Sequence, residues 1–315
     1  MKPLLANRLT LTYVATTGAA LVVVILLDAL IGGFLGAQLA VQGVPQEEAI
    51  RIVMERFDKI SGDLFHVAMA LTLTALALWI GRRYVVRWAR EIRWRPATPA
   101  STFEITGWVL LFGLGFTMFT GWVVPQNYLK QMSEFYQAQS LWGWLGLTLV
   151  VGLVGPLLEE WIFRGFMLQS YRLRRGASFA LFAQALVFSL IHGEPVLAVG
   201  ALLIGWIMGR WVLAGGSLYS TFWAHATNNL LSLAGIAFGI PYLRPDTPAN
   251  AITGLLGLVL VIFVLVLVAN RTPYANPPAE EPGPILSGSL VLTITISIFL
   301  LTINIIQLLE IMKII

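Results

Sequence analysis

Nine stretches of apolar residues, most of them near 20 long, set the terms for this 315-residue chain. A run of that length with few charges suits the hydrocarbon core of a bilayer. There the backbone has no water to bond with, so it must satisfy its own N–H and C=O groups within helices. The runs lie near residues 9–36, 64–81, 105–124, 141–158, 177–191, 195–213, 217–238, 251–269 and 286–309. The expected fold is all-α: a polytopic membrane bundle of about eight or nine transmembrane helices. It divides into N-terminal helices with an interfacial segment (1–104), a membrane core (105–245) and C-terminal helices joined by a Pro-rich linker (246–315).

Composition narrows the function classes. The chain is 57% hydrophobic and 11% charged, with a mean hydropathy of +0.80. It has no cysteine, which removes disulfides, thiolate nucleophiles and Zn–Cys sites. A net charge of +4 could suggest nucleic acid. The arginines, however, sit in short turns between apolar runs, where they set membrane orientation. Six fall within 81–96 and three within 171–176, and Arg210 and Arg271 occupy the next turns on the same side. That distribution predicts a cytoplasmic N-terminus, and nine spans would then leave the C-terminus outside. Lys2 and Arg8 before the first run imitate a signal peptide, but the run is too long for an h-region and reads as a retained first helix.

Two connecting segments carry their own signals. In residues 42–63, Ile50, Ile52, Val53 and Phe57 alternate with charges at helical spacing, which predicts an amphipathic helix at the interface. Residues 271–284 are rich in proline and predict an extended linker.

Polar groups at membrane depth are costly, and each ionisable one is a functional candidate. The short roster is Asp28, His66, Glu159, Glu160, Arg164, Gln184, His192, Glu194, His225, Asn228 and Asn229. In GPLLEEWIFRG, residues 155–165, Pro156 is placed to restart a helix, with Glu159 and Glu160 in its first turn. Glu160 and Arg164 are spaced i, i+4 and can pair, which lowers the cost of burying both. Glu159 points about 100° away without that partner, so a dry surrounding would make it a general base. The same two glutamates could equally lie in water at the membrane surface. Histidine tips the balance: two of the three in the chain, His192 and His225, close or occupy other apolar runs, and Asn229 follows His225 by one turn. At 1.5 Å per residue, Glu159 lies roughly 20 Å from Arg172 and His225 roughly 14 Å from Gly216, so the groups can meet at a similar depth. Contacts between helices or with solvent are the expectation for Asp28, His66, Gln184, Glu194 and Asn228.

Taken in order on successive apolar segments, Glu159-Glu160-x-x-x-Arg164, Phe188-x-x-x-His192 and His225-x-x-x-Asn229 resemble the CAAX protease and bacteriocin-processing (CPBP, or Abi) family of intramembrane endopeptidases. The resemblance covers about residues 140–240. It implies a helical bundle enclosing a cavity open to the cytosol, in a multi-pass protein of a prokaryotic plasma membrane. Glu159 would activate water with help from His192, His225 and Asn229 would stabilise the oxyanion, and Glu160 with Arg164 would orient the site. No cofactor is favoured. Zinc held by Glu159, His192 and His225 is the alternative, although no H-E-x-x-H helix is present to favour it. The implied partners are a hydrophobic peptide or membrane-anchored protein substrate and membrane lipids, with no nucleic acid. The competing readings are a non-catalytic scaffold or immunity factor and a proton-coupled transporter. The transporter reading lacks paired broken helices and an internal repeat.

Overall fold

The computed structural model describes residues 2–313 except Pro278, with the side chains of 55–60 also left out. All nine apolar runs are helical, and no strand occurs among the described residues. The helices are α1 (Pro3–Val41), α2 (Gln46–Ile80), α3 (Pro99–Val123), α4 (Gln126–Glu134), α5 (Leu141–Arg175), α6 (Ala177–Leu190), α7 (Pro195–Leu213), α8 (Leu218–Phe238), α9 (Ala251–Arg271) and α10 (Gly288–Ile311). Among the described residues, seven helical segments are long and apolar enough to cross a membrane, while the 14-residue α6 is shorter. The chain is a multi-pass membrane protein. Leucine, isoleucine and phenylalanine side chains on the outer faces of α1, α9 and α10 are exposed, as helices bordered by acyl chains require.

Two local expectations are corrected. Residues 46–63 form no separate interfacial helix. They are the first half of α2, continuous with the second apolar run and paired along α1. The helical spacing of Ile50, Ile52 and Val53 therefore faces a helical hairpin, while the side chain of Phe57 lies outside the described residues. Pro156, in turn, does not restart a helix. Helix α5 runs unbroken through it, because the turns over Thr148–Val154 widen to π geometry just before the proline, as do those over Glu160–Met167 after it. Proline has no N–H to give the carbonyl four residues back, and an i→i+5 register absorbs that missing bond without breaking the rod. Gly155 permits the widening: a Cβ there would lie 2.6 Å from the Val150 carbonyl oxygen.

Helix α5 is the axis of the molecule. Its second half, from Leu158 to Tyr171, is buried almost throughout, against α1, α6 and α8. The first turns of α1 are fixed there by Asn7, whose amide donates to the Ile285 carbonyl at 2.8 Å and accepts from the Tyr171 hydroxyl at 2.5 Å. Helix α3 packs on α9 through Gly115 and Gly257. A Cβ on Gly115 would stand 2.8 Å from the Gly257 carbonyl oxygen, so the backbones meet with no side chain between them.

The basic turns all lie at one end of the bundle and are tied together. The Leu218 N–H donates to the Arg93 carbonyl, Arg210 binds Thr272, and Asn276 caps the first turn of α6. The predicted Pro-rich linker is irregular chain over 272–277 and 279–287, laid across this end and anchored by Arg174 to Glu281. Segments 124–140 and 239–250 form the opposite end, where Arg244 holds Asp246 through bonds of 2.7 and 2.6 Å.

Candidate active site

Glu159, Glu160, Arg164, His192, His225 and Asn229 come from α5, the α6–α7 turn and α8, and they gather around the floor of one cavity of about 620 Å³. The widened turns of α5 aim its two glutamates differently. Glu160 is fully buried beneath the floor, with one carboxylate oxygen 3.1 Å from Arg164 Nη1 and 3.1 Å from His225 Nδ1. Arg164 is equally buried, and its guanidinium carbon sits 3.9 Å from the centre of the Phe188 ring. None of its nitrogens reaches a hydrogen-bond geometry. The 3.1 Å separation still makes an ion pair, since Coulomb attraction follows distance whereas a hydrogen bond also requires the angle.

Glu159 faces the cavity. One carboxylate oxygen accepts a hydrogen bond from the Tyr13 hydroxyl at 2.7 Å, and the other lies 3.6 Å from His225 Nε2. The expectation of a partnerless Glu159 is thus corrected by α1, an element outside the motif-bearing region. His225 bridges the two glutamates, one nitrogen to each. His192 lines the same cavity, with Nδ1 2.7 Å from the Phe188 carbonyl oxygen. A carbonyl only accepts, so Nδ1 carries a proton, and Nε2 is left without a hydrogen-bond partner among the described residues. Phe188 therefore serves both histidines as well as Arg164. Its ring centre lies 4.7 Å from that of His192 and 6.0 Å from that of His225.

Asn229 donates from its amide to the Val151 carbonyl at 2.9 Å, across from α8 to a widened turn of α5. That carbonyl is available because the π register frees it from an ordinary helical partner. Asn228 also lines the cavity and lies against Gly113 of α3.

The remaining candidates have structural partners. Gln184 donates to the Gly205 carbonyl at 2.8 Å, joining α6 to α7. His66 bonds the Phe135 carbonyl in the α4–α5 connection at 3.2 Å, rather than another helix. Glu194 is not simply solvated. It caps α7 by accepting from Val196 N–H at 3.0 Å and Leu197 N–H at 2.5 Å, and takes the Tyr128 hydroxyl at 2.6 Å. Asp28 makes no hydrogen bond among the described residues.

Tyr13 and Tyr136 are cavity residues that the sequence did not single out. Burial, with Glu194 and then Glu159 adding to it, pushes the Tyr136 phenol up to about 12, so it remains a neutral donor at the cavity rim. A tyrosine in an otherwise apolar helix was the available signal for Tyr13, but its register against Glu159 depends on how α1 packs.

Among the described residues, no three histidine or acidic side chains converge in a way that could hold a metal ion. Both nitrogens of His225 are directed at carboxylates, and Nδ1 of His192 is committed to a backbone carbonyl.

Residues 141–231 match a family model described as type II CAAX prenyl endopeptidase Rce1-like. The matched stretch runs from the start of α5 into α8 and contains all six candidates. No curated protein and no solved structure matches the chain.

Proposed function

We propose, from the match of residues 141–231 to the Rce1-like type II CAAX prenyl endopeptidase model, that this protein is an intramembrane endopeptidase in which Glu159 activates the hydrolytic water. The observation that carries the reading is a single carboxylate on the floor of an apolar cavity, held between the Tyr13 hydroxyl and His225. Its substrate is a hydrophobic peptide or a membrane-anchored protein.

Each group supports a step. Glu159 takes a proton from water, and the resulting hydroxide adds to the scissile carbonyl carbon. His192 Nε2, when unprotonated, accepts the second water hydrogen and aims the oxygen. His225 donates from Nδ1 to Glu160, and a second N–H at Nε2 completes an imidazolium. Glu159, Glu160, Arg164 and His225 then sum to zero charge, which suits a site shielded from water. As the tetrahedral intermediate forms, Glu159 becomes neutral and the imidazolium turns its donor toward the oxyanion. Asn229 supplies its remaining amide N–H from the next turn of α8. Collapse of the intermediate returns the proton from Glu159 to the leaving amine, and both products are released.

The test is a membrane proteome compared between wild type and Glu159→Gln, with and without a chelator. The expected result is one or a few uncleaved precursors accumulating in the variant, with processing by the wild type indifferent to the chelator. If Glu159→Gln processes those precursors at the wild-type rate, the assignment of the base is wrong.

A further inference from the structure

The wall of the cavity that holds Tyr136 and His192 is shared with a second, smaller cavity of about 300 Å³. Beyond that wall the small chamber is lined by Tyr128, Gln131, Glu194, Asn304 and Gln307, so it adds a carboxylate, three carboxamides and a phenol where the large cavity is mostly apolar. Helix α10 closes it. The Asn304 amide donates to the Gly193 carbonyl at 3.1 Å, and the Gln307 amide donates to Gln131 Oε1 at 3.3 Å. Neither α4 nor α10 lies within residues 141–231, so two elements outside the matched stretch build this chamber.

Glu194 gives the chamber a charge that its surroundings do not cancel. The carboxylate takes the Tyr128 hydroxyl and two N–H groups of α7. Among the described residues no lysine or arginine lies within ion-pair distance of it, and none lines the chamber. The N-terminus of α7 supplies roughly half an elementary charge, which leaves the field of the chamber negative. Two further acceptors, Gln307 Oε1 and Asn304 Oδ1, have no hydrogen-bond partner among the described residues. Lysine and arginine side chains carry only donors, and at a carboxylate they form charge-assisted bonds. A second carboxylate would be repelled, and an apolar side chain would leave these acceptors without donors.

The chamber lies next to the chemistry. Glu194 and Glu159 both act on the Tyr136 phenol, so the two carboxylates flank one side chain. His192 borders both spaces as well. We propose that the chamber is a specificity subsite: it takes the lysine or arginine side chain of a substrate residue close to the scissile bond, while the apolar segment of the substrate fills the large cavity. An extended backbone advances about 3.3 Å per residue, which puts that basic residue within a few positions of the bond. The proposal rests on the endopeptidase reading and narrows its substrates to hydrophobic polypeptides with a basic residue beside the cleavage site.

The test gives the full-length protein in nanodiscs a set of internally quenched peptides of one leucine- and alanine-rich sequence. A lysine, arginine, glutamine, glutamate or norleucine is moved through successive positions of that sequence. Binding of the same peptides to the Glu159→Gln protein is measured separately by thermophoresis. The expected result is a kcat/KM and an affinity each about tenfold higher for the best lysine or arginine peptide than for its norleucine counterpart, the size of one hydrogen bond to a charged group. Glu194→Gln, whose amide oxygen still accepts from the N–H groups of α7, and Gln307→Lys, at an exposed position of α10, should each abolish that preference. Met312→Lys adds the same charge outside the chamber and should leave the preference intact. Equal use of lysine and norleucine peptides, or a preference that survives both chamber substitutions, overturns the proposal. A protein that neither binds nor cuts the lysine peptides overturns it too. Failure of the endopeptidase reading gives a different pattern: no peptide is cut, while the binding preference and its loss in Gln307→Lys remain.

Discussion

Replacing Arg164 by methionine isolates the pair beneath the catalytic floor. The guanidinium and the Glu160 carboxylate have no solvent exposure and stand 3.1 Å apart. At an effective dielectric of about 20, that separation corresponds to roughly 5 kcal/mol of attraction. The contact over Phe188 at 3.9 Å adds on the order of 1–2 kcal/mol. Arg164→Met removes both and leaves Glu160 buried with only the neighbouring His225 and Thr221 side chains to satisfy it, so the expected loss of stability is about 3–5 kcal/mol. The double variant Glu160→Gln/Arg164→Met removes the stranded charge and should recover most of that loss, because a neutral amide still accepts from His225. Unfolding in mixed micelles titrated with SDS, followed by the fluorescence of the 11 tryptophans, measures all the variants of the cycle. A single-variant loss below about 1 kcal/mol, or effects of the two substitutions that simply add, would refute the account of Glu160 and Arg164 as a coupled buried pair.

The other perturbations address the elements around that pair. Tyr13→Phe deletes the 2.7 Å bond to Glu159 and should lower kcat about tenfold with little change in KM; an unchanged kcat would mean that α1 does not serve the base. Gly155→Ala drives a Cβ against the Val150 carbonyl and should cost about 1–3 kcal/mol together with activity, whereas Gly107→Ala, with open space around it, should be neutral or mildly stabilising. Equal behaviour of the two alanines would show that the widened turn is not required. At the rim, burial alone would raise the Asp246 carboxyl, but the Arg244 guanidinium outweighs it and holds the group below its usual range. A depressed carboxyl contributes stability above its unfolded value, near 3.9, that is lost as pH falls through its folded value. Hydrogen exchange in residues 240–250 should accelerate over that acidic window in wild type and show no such step in Asp246→Asn.

What the sequence settled rests on short-range physics. Continuous apolar runs can only be helices in lipid, so the helical architecture was legible, as were the i, i+4 pairing of Glu160 with Arg164 and the common depth of Glu159 and His225. Gln184 was also legible as a bond between helices. The sequence could not settle what depends on distant chain segments. The hydroxyl that holds Glu159 comes from α1, 146 residues away. Glu194 looked like a solvated helix end until Tyr128 from α4 was brought beside it. Pro156 looked like a break because the rule against proline within helices assumes an α register, and the widened turns on either side depend on Gly155 and on packing along α5. The charged turns fixed which end of the bundle is basic. Only the tertiary structure decided that Glu159, His192 and His225 line one cavity, because a cavity is the space that packed helices leave between them and no single run records it.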